Sequence, residues 1–122
     1  MWTEGSVAIG LGAVEEGIGI LLRVREEFHS RQMAYDTALV SLEIAVLYAG
    51  QGQTEQVKNL ARHMAPIFRA HGIHREALAA LTLFRQAAEQ ERVTEEFARE
   101  VLSYLRKARH NPELRFERAS RF

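Results

Sequence analysis

Apolar residues recur on one helical stripe in three separate stretches of the chain. From Val57 they fall at Leu60, Ala61, Met64, Ile67 and Phe68. From Phe97 they fall at Val101, Leu102, Leu105 and Ala108, and from Val14 at Ile18, Leu21, Val24 and Phe28. Spacings of three, four and seven describe one face of an amphipathic helix. Alternation with a period of two is sustained nowhere, so no sheet is expected. Breakers and caps divide the pattern into about six helices, over 2–10, 13–31, 34–50, 54–71, 74–91 and 94–110. Thr54 and Thr94 are each followed by glutamate, which suits a helix N-terminus. "GQG" at 50–52, "AHG" at 70–72 and "HNP" at 110–112 mark ends. Pro66 removes a backbone donor inside 54–71 and would clash with the Arg62 carbonyl, which predicts a kink.

The segments differ in kind. Segment 34–50 is apolar almost all round, and "ALAALTLF" at 77–84 is similar, so both are expected to be buried on most sides. Segments 54–71 and 94–110 are two-faced and should lie outside them. Shifting the chain by forty residues superposes Gly17, Val57 and Phe97, then Leu21, Ala61 and Val101, then Val24, Met64 and Tyr104, then Phe28, Phe68 and Ala108. Ala45 falls on Arg85, so the match is imperfect. A two-helix unit at this period is the signature of an α-solenoid. The expected architecture is an all-α superhelix of about three antiparallel hairpins in a single domain. Its units are 1–33, 34–73 and 74–112, followed by a tail over 113–122.

The run from Tyr48 to Gly52 ahead of a second helix resembles the unit of tetratricopeptide repeats, with Ala45 and Tyr48 near the small and aromatic positions of the first helix. "YDTALVSLEIAVLYAGQGQTEQV", "MAPIFRAHGIHREALAAL" and "YLRKARHNPELRF" look like the tetratricopeptide-like C-terminal helical regions of larger bacterial regulatory proteins. The likeness spans roughly residues 10 to 116. Ser41 and Val57 stand where the standard motif has tryptophan and alanine, and the period exceeds the usual ~34 residues. The resemblance implies a helical-repeat architecture and a protein-interaction role. It implies no catalytic or ligand residues.

Composition narrows the function classes. The 122 residues balance 16 basic against 16 acidic side chains, so no global field draws nucleic acid or an anionic membrane. Apolar content of 47% suits a globular core, and no run approaches the ~18 apolar residues of a membrane span. The start lacks a basic region ahead of its mild apolar stretch, so a secretory signal is not expected. With no cysteine, disulfides, thiolate metal sites and cysteine nucleophiles are excluded. A cytoplasmic protein is the expectation.

Candidate chemistry is sparse. His63, His71 and His74 lie close together in sequence, but not at the i, i+4 spacing of a helical zinc site and with no carboxylate between them. They are read as surface and capping residues. "EGIGILL" at 16–22 lies in a helical stripe and is no phosphate loop. The serines lack a nucleophile-elbow context, and the glutamates sit on polar helix faces. No metal, no cofactor and no catalytic residue is expected. The basic tail is read as a helix end followed by a frayed terminus, with "LRF" at 114–116 folding back over the last hairpin.

The expected function is therefore a non-catalytic protein-interaction scaffold, with a protein or peptide partner. Binding would use the first helices, through Tyr35, Arg75, Thr82, Gln86 and Glu89. The first unit is short, so homodimerisation is expected through an apolar N-terminal face with Trp2, Val7 and Ile9. The alternative is a small-molecule or metal-sensing helical domain, which requires a pocket with converging polar groups.

Overall fold

The computed structural model describes residues 14–70, 73–111 and 113–116. Among these residues all regular structure is helical, and no strand occurs. The elements are α1 (Val14–Ser30), α2 (Ala34–Gly50), α3 (Thr54–Arg62), α4 (Ala65–Phe68), α5 (Arg75–Glu89) and α6 (Glu95–Ala108). Four of the expected helices recur with ends shifted by up to two residues. The expected helix 2–10 lies outside the described residues.

Two local expectations are corrected. The span 54–71 is broken rather than kinked. The α3 helix stops at Arg62, His63 and Met64 form a turn, and Pro66 stands in the first turn of α4. There its missing N–H has no helical partner to lose. The Met64 and Ile67 amides bond carbonyls three residues back instead, Ala61 at 3.1 Å and Met64 at 2.9 Å. Thr54 is the first residue of α3 and not its cap: Gln53 precedes it without a side-chain bond, and the Thr54 hydroxyl donates to Glu91 Oε1 at 3.3 Å. Thr94 does cap α6, its Oγ1 accepting from the Phe97 amide at 3.0 Å.

Three turns share one geometry. After α1, α2 and α5 the chain places Gln32, Gly52 and Glu91 in the left-handed region, with φ of 57°, 73° and 55°. The next amide then reaches five residues back: Met33 to Phe28 (2.9 Å), Gln53 to Tyr48 (2.9 Å), Arg92 to Ala87 (2.8 Å). This closure satisfies carbonyls left over at a helix end. Only Gly52 adopts the conformation without a Cβ penalty. Gln32→Gly is accordingly expected to raise stability by about 1 kcal/mol, read as a higher urea midpoint with an unchanged slope.

Packing centres on α2. Its Ala38, Val40, Ser41, Leu42, Ile44 and Ala45 are fully buried. The buried hydroxyls bond within the helix, Thr37 to the Met33 carbonyl and Ser41 to the Thr37 carbonyl, both at 2.7 Å. The α1 helix lies along α2 through Ile18 and Leu21, and α6 makes the most extensive contact with it. The α2 and α6 helices run antiparallel. Asp36 at the start of α2 pairs with Arg109 just past α6, and the end of α2 at Gly50 approaches Glu95 at the start of α6. The α3 and α5 helices also run antiparallel, joined by Lys58–Glu91 and Arg62–Glu89 at 2.9 and 3.0 Å. With the α2–α3 and α5–α6 connections, these four helices form an up-and-down ring, with little contact between α2 and α5 across it. The α1 helix packs on the outside of this ring.

Residues 114–116 fold back as expected. The Tyr104 hydroxyl donates to the Leu114 carbonyl at 2.8 Å, and Phe116 lies edge-on to Tyr104 with ring centroids 5.4 Å apart.

Candidate functional site

Two surfaces carry the residues expected to bind. The first is at the end of the ring where α2 and α5 start and α6 stops. The Tyr35 ring lies 6.1 Å from the His74 ring, nearly parallel to it, and the Arg109 guanidinium lies over it at 5.2 Å. Arg109 is fixed by a two-pronged bond to Asp36, at 2.7 and 2.8 Å. This pairing holds its guanidinium charged more firmly than usual. Tyr35 donates its hydroxyl to the Leu105 carbonyl at 2.6 Å. Burial pushes the Tyr35 phenol up to about 12; the Tyr104 phenol adds to the rise, and Arg109 opposes it. Tyr35 is therefore half-buried, with its hydroxyl committed to α6. Beside it opens a groove of about 620 Å³ with His29, Met33, Pro66, Ile67 and Ala70 in its wall.

The second surface is the outer face of α5. Arg75, Thr82, Gln86 and Glu89 are all exposed there. Thr82, Gln86 and Glu89 meet with Arg85 and Gln90 around a depression of about 340 Å³. Thr82 returns its hydroxyl to the Leu78 carbonyl at 2.8 Å. Glu89 is engaged by Arg62 at 3.0 and 3.1 Å, and that hydrogen bond holds its carboxyl below the usual range. Arg75 stands apart from the depression, in the first turn of the helix. Segment 77–84 is not buried all round, because α5 has only α3 and α6 as its main neighbours. Ala79 and Leu83 face solvent, and Leu83 is 45% exposed. The sequence reading overlooked both, though Ala79 lies four residues after Arg75 and Leu83 three before Gln86.

The exposed stripe Ala79, Thr82, Leu83, Gln86 and Gln90 is thus uncharged, with Arg75, Arg85 and Glu89 at its border. The other outer helices differ. The exposed positions of α6 include Glu95, Glu96, Arg99, Arg106 and Lys107.

No known protein family, curated protein or solved structure matches the chain.

Other expected features fall as follows. His63 is exposed at the end of α3, where its Nδ1–H donates to the Asn59 carbonyl at 2.7 Å. His71 lies outside the described residues, as do Trp2, Val7 and Ile9. Among the described residues no group of three or more histidine, aspartate or glutamate side chains is placed to hold a metal ion. Among the same residues no helix is long and apolar enough to cross a membrane.

Proposed function

We propose that the chain is a non-catalytic protein-interaction scaffold, built on tetratricopeptide-like helical hairpins and belonging with larger bacterial regulatory proteins of the cytoplasm. The observation that carries the interaction role is the uncharged stripe on α5. A surface depleted of charge at its centre and bordered by charged groups has the make-up of a docking face. Leu83 belongs to this one and supplies apolar area left exposed to solvent. The partner fitting such a face is an amphipathic helix laid along α5. The repeat reading draws on two of the four superposed sets, which share burial, against the seating of α2 on α6 rather than on α5. Gly17, Val57 and Phe97 are all buried, and so are Leu21, Ala61 and Val101. Self-association through Trp2, Val7 and Ile9 remains part of the proposal.

The second reading, a small-molecule sensor, draws on the groove beside Tyr35. Its strongest polar groups are already paired with one another: Asp36 with Arg109, and Tyr35 with the Leu105 carbonyl. A ligand there would have to displace those bonds, which favours the scaffold.

A photo-crosslinking side chain at Leu83 or Gln86 tests this, with exposed Gln56 on α3 as the control. In cells that make the protein, irradiation should give one discrete protein adduct from the α5 positions and none from position 56. The same adducts from all three positions, or none from any, would refute the docking role of α5.

A further inference from the structure

The last helix has more apolar surface than the ring uses. Phe97 and Tyr104 are seven residues apart, two turns along the same side of α6, and are 3% and 6% exposed. Their rings are covered by the chain after the helix. Phe116 lies 5.4 Å from Tyr104 and 6.5 Å from Phe97, both tilted contacts of the kind aromatic pairs prefer. Leu114 packs on the same side, its carbonyl taking the Tyr104 hydroxyl. Residues 113–116 contain no helix or strand. Among the described residues, the segment is held by the amide bond from Leu114 to the Asn111 carbonyl, by that hydroxyl and by two side chains. Arg115 between the anchors is exposed, and Glu96 and Glu100 lie in the wall of the same groove, which measures about 730 Å³.

This is the geometry of a bound peptide: two apolar anchors at alternate positions and one hydrogen bond to the backbone. We infer that the Phe97–Tyr104 side of α6 is a docking groove for an extended Leu-x-Phe segment, filled in a lone chain by its own residues 114–116 and in an assembled pair by the same residues of a second copy. Each copy carries both the groove and the segment that fits it, so an exchange closes reciprocally with the same contacts. The balanced charge of the chain adds no net repulsion between copies. A lone chain is favoured while the tethered segment has an effective concentration near the millimolar range; crowding many copies shifts the balance. This surface is separate from the α5 stripe, and the inference goes beyond the scaffold reading.

The test uses the full chain and a dye-labelled peptide of residues 111–122. The double variant Leu114→Ala/Phe116→Ala leaves the groove uncovered. It should bind the peptide at least ~tenfold more tightly than the unaltered chain, whose own segment competes. A peptide carrying Phe116→Ala should not bind. Light scattering over a roughly hundredfold concentration range should show dimer forming in the unaltered chain, suppressed both by the free peptide and by the double variant. If the double variant loses its helical circular dichroism, Phe116→Ala alone serves, with a gain of about threefold expected. Equal binding by both chains, or none by either, overturns the groove. Tight peptide binding with unchanged dimerisation in the double variant overturns the second copy as its occupant.

Discussion

Phe84→Ala is expected to destabilise the protein by about 3–5 kcal/mol, the usual cost of emptying an aromatic site in a core. Phe84 heads the fully buried side chains by volume, with 0% of its surface exposed. It lies on α5, which reaches the rest of the ring only through α3 and α6 as main neighbours. Collapse around the vacancy is limited, because three of the other four buried residues of that helix, Ala77, Ala80 and Ala88, have no side-chain length to fill it. Total stabilities of domains run about 5–15 kcal/mol, so this one change removes a large share. The adjacent Leu83 is the control. At 45% exposure its replacement by alanine should stay within about 0.5 kcal/mol. Urea unfolding followed by helical circular dichroism separates the two, with a lowered midpoint and an unchanged slope for Phe84→Ala. A midpoint shift as small as that of Leu83→Ala would mean that α5 is not seated on the core through this ring.

Helix positions were legible because each amphipathic helix writes its buried stripe locally, as Val57, Leu60 and Ala61 do in α3. The arrangement of helices was not legible in the same way. A helix apolar all round, like α2, says that it is covered but not by which neighbour. The pairs that seat α6 on α2 are Asp36–Arg109 and Glu43–Arg106, separated by 73 and 63 residues, and no periodicity encodes them. A regular stack of hairpins would set α2 beside α5, whereas the widest contact is with α6. The end of 54–71 shows a similar limit. Pro66 announced an interruption, but the choice between a kink and a new first turn depended on the Met64 amide closing onto Ala61. Thr54 and Thr94 read alike in sequence, each ahead of glutamate, and only Thr94 turns its hydroxyl to a helix amide. Of the expected contact residues, Thr82, Gln86 and Glu89 came together because they share one helix face. Tyr35 did not join them, since its hydroxyl finds a carbonyl 70 residues away.

Tyr35 therefore offers a prediction that sequence alone would not suggest. Tyr35→Ala removes the ring that lies under Arg109 and beside His74, together with the hydroxyl on Leu105, and should cost about 2–3 kcal/mol for a half-buried aromatic. Tyr35→Phe keeps the ring and loses only the hydrogen bond, so about 1 kcal/mol is expected at neutral pH. The two variants respond differently to alkali. In the folded chain the phenol is pushed from its ordinary 10 up to about 12, chiefly by burial. The folded state thus holds its proton more tightly than the unfolded state. The resulting stabilisation is complete below pH 10 and is lost as pH rises from 10 toward about 12, because the unfolded chain ionises first. Tyr35→Phe lacks this titration. Its melting temperature should fall less steeply above pH 10, so that the gap to the unaltered chain narrows as pH rises. Tyr104, whose phenol is also raised by burial and by the Glu76 charge, remains in both proteins and leaves a residual alkaline decline. Melting curves at neutral pH and at steps through the alkaline range decide the matter. If the curves for Tyr35→Phe and the unaltered chain stay parallel above pH 10, the Tyr35 phenol is not buried against Leu105, and the anchoring of α6 to the start of α2 must rest on Asp36 and Arg109 alone.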